Sequence, residues 1–153
     1  MEIRLAENSD LSGWVRLVEP MRHLFPGLET PESMEGYARD IAGAISRQEA
    51  LCAVENGTIC GVLAFSRTEN ELAFLAVSAQ HRRQGIARKL AERMFRELDP
   101  ARPVKLITYR AGVPEGEAAR SLYQRLGFCP GRLVEVDGSP AQEFLRPAER
   151  SGS

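Results

Sequence analysis

The residues best placed to do chemistry lie in "HRRQGIARKL", residues 81–90, where His81, Arg82, Arg83, Arg88 and Lys89 surround Gly85 directly after the apolar run "LAFLAV". Basic side chains suit the C-terminal end of a helix, so basic residues crowded at an N-terminal end call for an anion. The first N–H groups of a helix have no intrahelical acceptor, and a tight strand-to-helix turn can aim them at phosphate oxygens. Gly85 and Ala87 are small enough to let an anion approach, and Arg82, Arg83 and Arg88 can add charge-assisted hydrogen bonds. The chemistry indicated is phosphate binding by the backbone of Gln84, Gly85, Ile86, Ala87 and Arg88, with arginines at the rim. Two familiar phosphate loops are excluded. The lysine and hydroxyl of GxxxxGK[ST] are missing, and Gly85 is the only glycine where GxGxxG needs three.

Such a loop needs a strand before it and a helix after it. "ELAFLAV" reads as the strand, and Ile86, Leu90, Met94 and Leu98 recur every fourth residue in the helix, closed by Asp99-Pro100. Upstream, "EIRLA" alternates like a short strand. Ser9 or Asp10 can cap a helix carrying Leu11, Trp14, Val15 and Val18, which Pro20 stops. "MRHLFPGL" reads as loop, and Thr30-Pro31 opens a second helix through Tyr37, Ile41 and Ile45. "ALCAVENGTICGVLAFSR" is a hairpin about Asn56-Gly57, the dipeptide of a type I′ turn. Downstream come a strand in "VKLITYR", a helix in "EGEAARSLYQRL" with Gly127 in the position after its C-cap, and the strands "RLVEV" and "AQEFLR" about Asp137-Gly138. The order is β-α-α-β-β-β-α-β-α-β-β. It predicts an α/β (α+β) fold with a mixed seven-stranded sheet, antiparallel at start and finish, and one right-handed crossover that begins at the basic loop.

The 153 residues suit one domain, expected over 1–147, with "AERSGS" fraying as a tail at 148–153. A composition of 43% hydrophobic and 27% charged residues is that of a globular chain, and no apolar run reaches the roughly 20 residues that span a bilayer. Lys plus Arg number 20 against 21 for Asp plus Glu, a net charge of −1, so nucleic acid is not the expected partner and any anion site is local. "MEIRLAENSD" lacks the pattern of a signal peptide, so a cytoplasmic location without membrane association is expected. Cys52, Cys60 and Cys129 lack CxxC spacing and read as reduced, buried thiols, and His23 and His81 lack ligand spacing, so no metal is expected.

Arg82-x-x-Gly85-x-Ala87 after a strand resembles the acyl-CoA pyrophosphate loop of the GNAT superfamily of N-acetyltransferases, whose pattern is Gln/Arg-x-x-Gly-x-Gly/Ala. "AARSLYQRLGF" resembles a later motif of the same superfamily, and the predicted element order matches its fold, which has helices on both faces of the sheet. About four-fifths of the chain takes part in the resemblance.

The resemblance implies acetyl-CoA as co-substrate, lying between two strands that splay apart in a V. Backbone groups of Leu75, Ala76 and Val77 would pair with its pantetheine arm, and the loop from Arg82 through Arg83, Gln84, Gly85, Ile86 and Ala87 to Arg88 would hold its pyrophosphate. An amine then attacks the thioester directly. Two protons need handling, because an alkylammonium ionises near pH 10.4 and a thiol at about 8.5. Tyr123 matches the tyrosine near the CoA sulfur and is the implied general acid. Glu71 stands in a frame similar to the strand of the catalytic glutamate in the histone-acetylating branch, where it draws the amine proton through water; Glu69 is the alternative. One departure stands out: Gly116 occupies the place where many members have Asn, seven residues before the tyrosine.

The acceptor implied is a primary amine of a small molecule or peptide, with a homodimer left open. Its walls would be the first two helices, with Glu19, Glu29, Glu32 and Glu35 against Arg22, and the last two strands, with Glu135, Asp137 and Glu143 against Arg132. These acidic walls favour a cation. A CoA-binding sensor or regulatory module without catalysis is the competing expectation.

Overall fold

The structure is a computed structural model describing residues 1–82 and 84–149. Its strands are β1 (Glu2–Leu5), β2 (Ala50–Glu55), β3 (Thr58–Ser66), β4 (Glu71–Val77), β5 (Val104–Thr108), β6 (Cys129–Val136) and β7 (Ser139–Arg146). Its α-helices are α1 (Leu11–Val18), α2 (Pro31–Ser46), α3 (Ile86–Glu97) and α4 (Glu117–Arg125). The strands make one mixed sheet in the order β1-β2-β3-β4-β5-β7-β6. The β4–β5 pair is parallel, as a crossover through α3 requires, and β7 inserts between β5 and β6 with antiparallel partners on both sides.

The chain divides into two compact units. The first comprises residues 1–65 and 74–94. Its core buries Trp14, Val18, Met21, Met34, Ile41, Ile45, Cys52 and Val62. Asn56 and Gly57 both take positive φ, 51° and 77°, which is the type I′ geometry expected of the β2–β3 hairpin. The Thr30 hydroxyl accepts from the Ser33 N–H and caps α2, with Pro31 in its first turn. Trp14, Phe25 and Tyr37 are packing residues here. The Trp14 indole N–H donates to the Tyr37 hydroxyl at 2.8 Å, and Phe25 and Tyr37 both pack on Phe74.

Two local expectations for this unit need correction. Asp10 stands at the N-cap of α1, but its side chain makes no cap hydrogen bond to that helix; its carboxylate accepts from the Arg4 guanidinium at 2.7 and 3.1 Å and from the Glu7 N–H at 2.7 Å, closing a capping box on the preceding 3-10 turn. The segment after α1 is not loop throughout, because Glu19–Leu24 forms a 3-10 helix with Pro20 in its first turn, where a missing N–H costs nothing.

The described residues of the second unit are 66–73 and 95–149. Val104, Leu106, Leu126, Phe128, Ala141 and Phe144 are buried in it. β6 begins at Cys129, ahead of the expected "RLVEV", and its register with β7 shifts between Pro130 and Leu133. Asp137 and Gly138 also take positive φ, 49° and 80°, closing the β6–β7 hairpin. Cys129 is exposed, contrary to the expectation of a buried thiol, because it starts an edge strand; Cys52 and Cys60 are buried as expected. The Glu149 N–H donates to the Pro100 carbonyl at 2.9 Å, and the rest of the expected tail, 150–153, lies outside the described residues. Among the described residues no helix is long and apolar enough to cross a membrane.

Candidate active site

The basic loop is built by close packing behind it and left open in front. α3 lies against β3 at Gly61, where a Cβ would come within 2.8 Å of Ile86 and 3.1 Å of Leu90. Sequence reasoning missed Gly61. Its signal was an isolated glycine inside a strand, which marks a close approach of another element. Ile86 and Leu90 are fully buried there and fix where α3 begins.

Gly85 has φ +76°, and a Cβ at this position would meet nothing within 4 Å. Glycine is therefore needed for its backbone conformation, and among the described residues nothing fills the space before it. The Gly85 carbonyl accepts from the Lys89 N–H at 3.1 Å, the first bond of the helix, so the N–H groups of Ile86, Ala87 and Arg88 have no intrahelical acceptor. Arg82, Gln84 and Arg88 are exposed at this end of α3, and so is Lys89. Arg83 lies outside the described residues.

The approach to the loop is secured by Ser78 and His81. The Ser78 N–H donates to the Cys60 carbonyl at 2.9 Å, the Ser78 hydroxyl and His81 Nδ1 are 2.8 Å apart, and His81 Nε2 stands 3.8 Å from the Glu55 carboxylate. These contacts tie the 3-10 turn Ala79–His81 to the β2–β3 hairpin. Leu75, Ala76 and Val77 form the end of β4 that leads into this turn, opposite to the end where β4 pairs with β5 at Glu71↔Lys105.

Tyr123 is in the second unit, in the last turn of α4. The helix closes with Gly127 at φ +98°, its N–H donating to the Gln124 carbonyl at 3.1 Å, while the Phe128 N–H reaches back to the Tyr123 carbonyl at 3.0 Å. This is a Schellman ending, with its apolar contact made by the Tyr123 and Phe128 rings, 6.2 Å between centroids. Phe144 meets Tyr123 edge-on at 6.4 Å. The motif "LYQRLGF" therefore reads as one device, in which glycine ends the helix and phenylalanine returns onto the tyrosine. Burial pushes the Tyr123 hydroxyl up to about 12, so it stays a neutral proton donor.

Arg120, one turn earlier, donates to the Tyr109 carbonyl at 2.8 Å and to Gln142 Oε1 at 2.6 Å, and lies over the Phe144 ring at 4.9 Å. It anchors α4 on β7 and on the residue that follows β5. Gly116 also has a steric cause: a Cβ there would fall on the Tyr109 ring. A side chain at this position requires Tyr109 to move.

Glu71 opens β4 in register with Lys105 of β5 and is half-buried. Burial raises its carboxyl above the ordinary range, Lys105 opposes this, and Glu69 and Glu143 add to it. Glu69 is engaged with Lys105 Nζ at 3.0 Å, and Glu143 stands 3.5 Å from Arg132. Of the acidic residues expected to line an acceptor wall, Glu29 is taken up locally, accepting from the Gly27 N–H, and Glu19 faces Arg22 at 4.0 Å.

The acetyltransferase (GNAT) domain family matches residues 46–130, more than half of the chain. The chain belongs to the GNAT family. Solved structures agree in fold. A GNAT-family acetyltransferase from Bacillus cereus superposes with a TM-score of 0.74 at 20% identity, covering 97% of this chain and 98% of that one. The PaiA N-acetyltransferase of Thermoplasma acidophilum, determined in complex with coenzyme A, gives 0.70 at 21% identity over 95% and 98% of the two chains. The ribosomal-protein-S18-alanine N-acetyltransferase of Escherichia coli gives 0.69 at 21% identity over 99% and 96%. Among curated proteins the chain has no match.

Proposed function

We propose that this GNAT protein transfers the acetyl group of acetyl-CoA to a primary amine of a small molecule or peptide by direct attack. The observation that carries the reading is the left-handed Gly85 opening α3, with clear space before it and Arg82 and Arg88 exposed beside it. These residues fit a pyrophosphate: the N–H groups of Ile86, Ala87 and Arg88 donate to its oxygens, and the arginines balance its charge. Arg83 is assigned to the same rim on its sequence position alone. The backbone of Leu75, Ala76 and Val77 serves the pantetheine arm.

In the reaction the amine lone pair forms a bond to the thioester carbon and the carbon–sulfur bond breaks. The ammonium proton passes to Glu71 through water, and Tyr123 offers its proton to the departing sulfur. A carboxyl raised by burial is a better base than an exposed one, and a tyrosine held neutral still carries its proton when the thioester is attacked. The CoA complex of the Thermoplasma structure supports the co-substrate, and the S18-alanine acetyltransferase supports a peptide amine among the acceptors to be tried.

The test is release of free thiol from acetyl-CoA across amines that include polyamines, aminoglycosides, amino-acid amides and peptides beginning with alanine. Amine-dependent release supports the reading. CoA binding without release from any amine favours the second reading, a CoA-binding module without transfer, which Gly116 motivates. Absence of both sinks the two together.

A further inference from the structure

Glu71 is the first residue of β4 and follows a turn, a place where strands open first. A carboxylate that takes a proton through water must nevertheless be held to within roughly 0.5 Å. The residue before it, Asn70, is 1% exposed and sits at φ +51°, a conformation asparagine tolerates better than most residues. Its Nδ2 donates to the carbonyls of Asp99, Arg102 and Pro103 at 3.2, 3.3 and 3.2 Å, and its Oδ1 accepts from the Asp99 N–H at 3.0 Å. Its own carbonyl accepts from the Lys105 N–H at 3.2 Å, beside the Glu71↔Lys105 register pair. One side chain thus closes the connection from α3 to β5 onto the start of β4.

We propose that Asn70 is a positioning residue that seats the Glu71 carboxyl for proton transfer. The inference rests on the acetyltransfer reading above, in which Glu71 is the base. Other contacts hold the same turn: Arg67 donates to the Glu97 carbonyl at 2.7 Å and Arg102 to the Thr68 carbonyl at 3.2 Å. Asn70 alone combines such a contact with a peptide bond to Glu71. Its amide is neutral, so it fixes the strand without adding a buried charge beside the carboxyl. The charged groups that face Glu71 are Lys105 on β5, Glu69 in the turn and Glu143 on β7, and the last two have cations of their own in Lys105 and Arg132. What distinguishes Glu71 is its burial, and burial at a strand terminus lasts only while the terminus is held.

The experiment is a carboxyl carbon-13 NMR titration of the full chain, with the Glu71 signal assigned by its loss in Glu71→Gln. Asn70→Gly keeps the positive φ and removes the side-chain bonds. In that variant Glu71 should titrate lower than in the wild type, toward the ordinary value of about 4.3. The amine-dependent kcat should fall by about tenfold or more, while the midpoint rise induced by CoA is kept. A Glu71 titration unchanged from wild type in the folded variant overturns the proposal. So does a variant that fails to fold at low temperature, which would make Asn70 a residue of the fold alone. Full turnover in Glu71→Gln would overturn the base assignment instead, and the titration still reports the seating independently of turnover.

Discussion

At the start of α3 a glycine with positive φ leaves three N–H groups without intrahelical partners, whereas at the end of α4 another such glycine spends the last carbonyls on Gly127 and Phe128. Gly85 opens onto clear space; a Cβ at Gly127 would meet the Arg146 side chain at 3.3 Å. The same backbone conformation serves opposite ends. Under the proposed function, the terminus that holds an anion stays polar and unfinished, and the one that carries the proton donor is satisfied and packed. Arg82 and Arg88 beside Gly85 are exposed, while the ring of Tyr123 is fixed between Phe128 and Phe144.

The largest expected effect isolates the finished end. Tyr123→Phe should lower kcat by about 10²–10⁴-fold, the usual range for a general acid, with CoA affinity unchanged by calorimetry. A comparable loss of CoA affinity would mean that the tyrosine serves binding.

Glu71→Gln comes next, with kcat down by about 10²-fold. Because its carboxyl is raised, wild-type kcat/KM should fall as pH drops through a value above the ordinary 4.3 or so of a glutamate, and the variant should lose that limb. The stability effect has the opposite sense. The folded state holds this proton more tightly than the unfolded chain, so the contribution of Glu71 to stability declines as pH rises from the ordinary value through the folded one. At neutral pH the slower Gln variant should therefore melt slightly above wild type in a thermal scan.

The two glycines give a crossed pair. An L-residue in the left-handed region costs about 1–2 kcal/mol. At Gly85→Ala this should appear as roughly tenfold weaker CoA binding with a small change in melting temperature; at Gly127→Ala it should appear as a lower midpoint and lower kcat, with CoA affinity kept. Equal effects at both would remove the contrast.

The smallest is Gly116→Asn, which restores the family's more frequent residue. It should destabilise by about 1–3 kcal/mol because Tyr109 must move, and a denaturant midpoint would show it. Improved stability would mean that Tyr109 yields easily.

What could be read from the sequence were features whose cause lies within a few residues. Asn56-Gly57 and Asp137-Gly138 closed their hairpins, Thr30 capped α2, and Gly127 ended α4, each by local stereochemistry. Gly61, Asn70 and the Ser78–His81 pair escaped notice because their partners are distant in the chain: α3 for Gly61, residues 99–103 for Asn70, Glu55 for His81. The edge position of β6 was equally hidden, since pairing order is decided by all the strands together, and with it the exposure of Cys129. The candidate loop and Tyr123 were visible through their motifs; what anchors them was not.

The distribution of the cysteines bears on how the protein is assayed. Burial pushes the Cys52 thiol up to about 12 and raises Cys60, whereas Cys129 lies exposed at the start of an edge strand. Thiolate is the form that reacts with disulfide reagents, so the native chain should be labelled at one position and the unfolded chain at three. A colorimetric thiol readout of acetyl transfer thus starts from a fixed background of one equivalent per chain. Any slow climb toward three in the absence of amine times the opening of the sheet around Cys52 and Cys60, turning the same reagent into a clock for unfolding.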